Sequence, residues 1–117
     1  MSDIFGTFIL SKSDSQYLGE FFNNKMKAFS REEIKPLELS HNNEFIGSFD
    51  AGWQEPAGAV SAVLQIDIES EDIYMLTWTD VRLNGELQNV NFTGRGVLRN
   101  GLLVAVYSMN HLQYSES

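Results

Sequence analysis

The sequence predicts a mainly β protein, an antiparallel up-and-down barrel of about seven or eight strands with a helix-turn-helix insert after the first strand. Three observations support this fold class. From Leu37 onward, apolar and polar residues alternate with the period of a β-strand. Turn signals recur at regular intervals along that stretch. Two of them, Asn84-Gly85 and Asn100-Gly101, are typical of tight β-hairpins because both residue types tolerate positive φ.

Length and composition are those of one globular domain spanning residues 1–117. The chain has 117 residues, of which 43% are hydrophobic, so it can bury a core. It contains no cysteine, which excludes disulfides and thiolate metal sites. The N-terminus lacks a secretory pattern, and the apolar runs are too short for a membrane span. We therefore expect a soluble, cytoplasmic protein.

The charge distribution argues against nucleic acid as a partner. The net charge is −8, and beyond residue 36 the basic residues are three arginines, Arg82, Arg95 and Arg99. Such a surface repels phosphate backbones.

The segment after the first strand, residues 4–10, carries helix signals. Ser13-Asp14-Ser15-Gln16 has the form of a capping box, and apolar residues follow it at helical spacing over about 14–29. Ser30-Arg31-Glu32-Glu33 has the same form, and the turn it opens must stop before Pro36. These signals predict a helical insert over about 14–35.

The hairpin turns also predict which residues share a face. With the turn at 84–85, Leu83 lies opposite Glu86 and Thr77 lies opposite Phe92; with the turn at 100–101, Leu98 lies opposite Leu103. Alternation then places Met75, Thr77, Thr79, Phe92 and Tyr107 inside the barrel, together with Trp53 and Gln88. The outer face receives Val63, Leu76, Trp78, Arg95, Val104 and Val106.

Part of the chain resembles the intracellular fatty-acid-binding proteins, a family of calycin-like barrels. The resemblance rests on Phe5-Gly6-Thr7-Phe8-Ile9-Leu10, on Tyr17, on Lys35-Pro36, and on the late hairpin at 99–104. It implies a barrel with a helical lid over one mouth. It does not imply a fatty-acid head-group site, because Leu112-Gln113-Tyr114 has leucine where the family has the arginine of its Arg-x-Tyr motif.

Two functional hypotheses of different classes follow. In the first, the protein is a non-enzymatic carrier or sensor that holds a small apolar ligand inside the barrel. A whole ligand of this kind needs a pocket on the order of 300 Å³ or more. The predicted ligand-binding residues are Trp53, Met75, Thr77, Thr79, Gln88, Phe92 and Tyr107.

In the second hypothesis, side chains fill the barrel and the outer face binds another protein. The apolar residues predicted on that face are too many for a wet surface, which indicates an interface of a homodimer or a larger homo-oligomer. The predicted interface residues are Val63, Leu76, Trp78, Arg95, Val104 and Val106.

A small enzyme on the same scaffold is a third possibility, since fold alone does not exclude chemistry. Asp50 and Asp80 could form an acid/base pair, but alternation places Asp80 outside. His41 and His111 are better explained as loop residues. No catalytic residue, metal site or cofactor is therefore predicted.

Overall fold

The computed structural model describes residues 3–112, which form nine β-strands and no helix. The strands are β1 (Phe5–Ser13), β2 (Gln16–Asn23), β3 (Ser30–Leu39), β4 (Gly47–Glu55), β5 (Gly58–Ser70), β6 (Ile73–Leu83), β7 (Glu86–Leu87), β8 (Val90–Arg99) and β9 (Leu102–His111). None of the described residues belongs to a helix that is long and apolar enough to cross a membrane.

The strands form one closed antiparallel barrel. The sheet runs in the order β5-β4-β3-β2-β1-β9-β8-β6, and β5 also pairs with β6, which closes the cylinder. The two-residue β7 only extends the end of β6. The predicted up-and-down barrel of about seven or eight strands is confirmed, with eight strands in the closed cylinder.

The predicted helix-turn-helix insert is wrong, because residues 14–35 form β2, the start of β3 and the connection between them. Asp14 has a φ of 56° and lies in a two-residue hairpin turn, with Ser13 opposite Gln16. Serine and aspartate favour such turns as readily as helix caps. β2 pairs with β1 along one edge and with β3 along the other. If residues 14–35 were helical, the backbone N–H and C=O groups on that edge of β1 would have no strand to pair with.

Alternate residues of the long strands point into the barrel and form the core. Tyr17, Gly19 and Phe21 of β2, for example, are buried while their neighbours Leu18 and Glu20 are less so. Burial of a large apolar side chain contributes about 1.5–3 kcal/mol. The largest fully buried side chains are Phe8, Leu10, Phe49, Leu64, Ile66, Leu76 and Leu103.

Both Asn-Gly turns form as predicted. Asn84 and Gly85 have φ values of 50° and 85°, and Leu83 lies opposite Glu86. The second hairpin has Leu98 opposite Leu103. The residues of β8 and β9 therefore face the predicted sides of the sheet.

Between Ile73 and Thr79, strand β6 faces the side of the sheet opposite to the predicted one. A β-bulge at Asp80, whose φ is 52°, shifts the pairing by one residue, so that Trp78 rather than Thr77 lies opposite Phe92. At the other end of β6, Ile68 pairs with Tyr74 next to a second irregularity. A slip of one residue moves every side chain of a strand to the other face.

Candidate ligand-binding site

A small cavity lies inside the barrel near one of its ends. Its volume is about 40 Å³, which is room for roughly three water molecules. Side chains of seven of the eight barrel strands, all except β5, contribute to its walls. The lining residues are Ile4, Phe8, Phe21, Asn23, Glu32, Trp53, Glu55, Trp78, Phe92 and Tyr107.

Glu32 is the charged residue at this cavity that the fold buries most completely. It points inward from β3 and is 4% exposed. Trp78 Nε1, on β6 across the barrel, donates a hydrogen bond of 2.8 Å to Glu32 Oε2. Within residues 3–112 the ion pairs are Lys12–Glu44 and Arg95–Glu69, so no cation neutralises Glu32.

Burial controls the protonation of this carboxyl group. It raises the pKa of Glu32 from its ordinary value of 4.5 to about 8, while the hydrogen bond from Trp78 acts in the opposite direction. The group is therefore mostly protonated at neutral pH and ionises in mildly alkaline solution. A buried carboxyl group that changes charge near neutral pH marks a candidate functional site.

Aromatic rings form most of the remaining wall. The ring centroids of Phe8 and Trp78 are 5.1 Å apart, those of Trp78 and Tyr107 5.8 Å, and those of Trp53 and Phe92 6.1 Å. Most of these pairs meet edge to face, the arrangement that aromatic quadrupoles favour. The six aromatic side chains at the cavity are Phe8, Phe21, Trp53, Trp78, Phe92 and Tyr107.

A glycine on β8 makes room for this aromatic cluster. A Cβ atom at Gly94 would lie 2.7 Å from the carbonyl oxygen of Val106, 3.2 Å from the Cβ of Tyr107 and 3.5 Å from the ring of Trp78. Any side chain at this position would displace β9 or the cavity wall. Gly94 therefore lets β8 and β9 approach closely behind the aromatic rings.

Two polar pairs complete the lining. Asn23 Nδ2 donates to the hydroxyl oxygen of Tyr107 at 3.0 Å, and Trp53 Nε1 donates to Glu55 Oε2 at 2.9 Å. Burial raises the pKa of Tyr107 to about 12; the hydrogen bond from Asn23 opposes this rise, and the charges of Glu32 and Glu55 add to it. Tyr107 therefore stays neutral, and its O–H group can donate to a bound molecule.

Three of the predicted ligand-binding residues, Trp53, Phe92 and Tyr107, line this cavity. The placement of Met75, Thr77 and Thr79 inside the barrel is wrong, because the bulge at Asp80 turns these residues of β6 outward. Gln88 also lies elsewhere. It follows β7, and its Nε2 donates to the carbonyl oxygen of Glu86 at 2.8 Å.

Because of the same bulge, two of the predicted interface residues lie in the core and the other four lie on the outer face. Leu76 and Trp78 are 0% and 3% exposed and belong to the core, so their placement on the outer face is wrong. Val63, Arg95, Val104 and Val106 do lie on the outer face, where Val106 is 65% exposed. Arg95 and Val106 also line an outer groove of about 870 Å³, with Phe5 and Met75 beside them.

Sequence reasoning missed Glu32, Asn23 and Glu55. The sequence pattern predicts a helical turn over residues 30–35, and a helical turn does not place Glu32 on the inner face of a strand. The signal was nevertheless present. If residues 30–39 are taken as a strand with Ile34 inward, Glu32 must also point inward, because residues two apart share a face.

Among residues 3–112, no three His, Asp or Glu side chains are grouped closely enough to hold a metal ion. The chain has no match among protein-family models, curated proteins or solved structures. Gln113 and Tyr114 of the Arg-x-Tyr comparison lie outside the described residues.

Proposed function

We propose that the protein is a non-enzymatic binding protein that holds a small, largely apolar group of its ligand in the cavity beside Glu32. The observation that carries this proposal is the buried carboxyl group, which has no counter-charge among residues 3–112 and is set among six aromatic rings at a small cavity. Burial of a polar group in apolar surroundings costs free energy unless it is well paired. If this carboxyl group binds a ligand, that role explains why it is buried in spite of the cost.

The size of the cavity limits how much of the ligand enters. A volume of about 40 Å³ is far below the 300–1,000 Å³ or so of sites that enclose drug-sized molecules. A group of a few heavy atoms therefore fits inside, and the rest of the ligand extends past Asn23 and Glu55. The resemblance to fatty-acid-binding proteins and the cytoplasmic location stay predictions.

The test uses three probes of similar size and different charge: propylammonium, propan-1-ol and propionate. We expect at least one of them to shift the amide NMR signals of cavity-lining residues such as Trp53 and Phe92 in a saturable way. Trp53→Ala, which removes part of the wall, should weaken that binding about tenfold, a cost of roughly 1.4 kcal/mol.

Phe29→Ala is the matched control. Phe29 is 58% exposed and packs against Phe22 rather than at the cavity, so its loss should leave probe binding unchanged. Shifts confined to the outer groove, or no saturable shifts with any probe, would contradict the proposed function.

A second candidate function is self-association through the outer face. The observation that favours it is the groove of about 870 Å³ between exposed Phe5, Met75 and Val106. Contiguous exposed apolar surface of this kind marks interaction sites. We propose a second copy of the chain as the occupant, because a two-fold axis lets one apolar patch cover itself.

A further inference from the structure

We propose that the group bound in the cavity is a small organic cation, an alkylammonium ion whose nitrogen lies next to the carboxylate of Glu32. This inference rests on the proposed binding function and adds the charge of the ligand to it. Two independent features support it: the carboxyl group of Glu32 has no cationic partner among the residues that the structure describes, and the wall of the cavity is aromatic.

The first feature is the incomplete environment of Glu32. In the part of the chain that the structure describes, Trp78 Nε1 is the side-chain donor to this carboxyl group, and it reaches only Oε2. A neutral indole N–H does not compensate a full negative charge inside a protein. An ammonium ion in the cavity would supply both a counter-charge and N–H donors.

The second feature is the aromatic wall. Cations are attracted to aromatic faces, and cages of aromatic residues bind ammonium groups. Trp53 and Trp78, the ring type that binds cations best, both line the cavity beside Phe92. An anion would instead meet Glu32 and Glu55 in a chain of net charge −8.

The affinity for a cation should depend on pH through Glu32. The titratable groups at the cavity are Glu32 on β3, Glu55 on β4 and Tyr107 on β9; β1, β2, β6 and β8 contribute Phe8, Phe21, Asn23, Trp78 and Phe92, which do not titrate. Tyr107 stays neutral below about pH 12. Raising the pH from 6 to 9 removes the proton that competes with a cation for Glu32.

The experiment compares the affinities of propylammonium, propan-1-ol and propionate at pH 6 and pH 9 by NMR titration. An alkylammonium ion stays charged over this range, as a lysine side chain does. At pH 9, propylammonium should bind about tenfold more tightly than propan-1-ol, with propionate weakest. Its affinity should fall about tenfold or more at pH 6, where Glu32 holds its proton.

Substitution at Glu32 identifies the carboxylate as the origin of the preference. Glu32→Gln keeps the size and an acceptor for Trp78, and should reduce the ratio of propylammonium to propan-1-ol affinity to about one. Glu33→Gln is the matched control, because Glu33 is the exposed neighbour on the same strand and its loss removes an equal charge. It should preserve the ratio.

A measurement on the unaltered protein serves if Glu32→Gln does not fold. Calorimetry at pH 7 in buffers of different ionisation enthalpy should show that propylammonium binding releases on the order of half a proton, since binding favours the ionised form of Glu32 and so lowers its pKa. No proton release, or equal affinities for propylammonium and propan-1-ol at pH 9, would overturn the cation inference and leave the proposed function standing. If no probe binds at the cavity, both proposals fail.

Discussion

Two opposing effects act on Glu32: burial disfavours its charged form, and the hydrogen bond from Trp78 favours it. Burial is the larger effect, since the pKa is about 8 in the folded protein against an ordinary value of 4.5. Between these values the folded protein holds a proton that the unfolded chain releases. The free energy of unfolding therefore decreases as the pH rises through this window, and the loss is complete only above about pH 8.

Replacing Glu32 should stabilise the protein in alkaline solution. Glu32→Gln cannot ionise, so its free energy of unfolding at pH 9 should exceed that of the wild type by up to about 5 kcal/mol, the loss that follows from the raised pKa of Glu32. The difference should shrink toward pH 5. Urea denaturation across this range measures both. Equal pH dependence in wild type, Glu32→Gln and the control Glu33→Gln would contradict the assignment.

The hydrogen bond from Trp78 should lower the pKa of Glu32, whereas burial raises it. Trp78→Phe keeps an aromatic ring but removes the Nε1 donor that lies 2.8 Å from Glu32 Oε2. Loss of this bond should destabilise the fold by about 1–3 kcal/mol. It should also raise the pKa of Glu32 further, because the bond favours the ionised form. Carboxyl ¹³C NMR measures this pKa, and an unchanged or lowered value would contradict the role of Trp78.

At the scale of elements, the turn after β6 forms hydrogen bonds with the neighbouring hairpin between β4 and β5. The side chain of Asn84 accepts a hydrogen bond from Ala59 N at 3.1 Å and donates one to the carbonyl oxygen of Ala57 at 3.3 Å. The turn between β4 and β5 is thereby tied to the end of β6. Gly85 completes the Asn-Gly turn with a φ of 85°, and a Cβ atom at this position would meet no neighbouring side chain or strand within 4 Å.

Gly85→Ala should therefore be destabilising through backbone strain alone. The expected cost is about 1 kcal/mol, because an alanine at positive φ brings its Cβ close to the backbone. Gly52→Ala on β4 is the control; its Cβ would make only an ordinary contact of 3.6 Å with the carbonyl oxygen of Val60, so no loss is expected. Thermal unfolding compares the two, and equal midpoints would contradict this account.

At the scale of the whole molecule, the closed barrel buries its inner face but leaves the apolar outer groove exposed to solvent. Self-association there should appear as a dimer in light scattering at high micromolar concentration. Val106→Glu places a charge at the exposed centre of this surface and should give a folded monomer with unchanged circular dichroism.

The matched control for this test is Ile68→Glu, which also replaces an exposed apolar residue, 44% accessible, but lies outside the groove. It should remain dimeric. A wild type that is monomeric at high micromolar concentration would contradict self-association and leave the proposed ligand site unaffected.

The sequence alone was sufficient for the antiparallel barrel, for both Asn-Gly turns and for the inner position of Trp53, Phe92 and Tyr107. These features depend on local properties. An Asn-Gly pair selects its own turn geometry, and a regular hairpin then determines the facing of the strands that it joins.

Only the tertiary structure decided the path of residues 14–35, the facing of β6 and the environment of Glu32. A capping-box pattern suits a turn as well as a helix, and pairing with β1 selects the strand. One bulge at Asp80 reverses the facing of Met75 and Trp78, although few local signals mark it. Glu32 lies among aromatic residues from distant parts of the chain. Its burial, and with it the chemistry of the site, depends on the closure of the whole barrel.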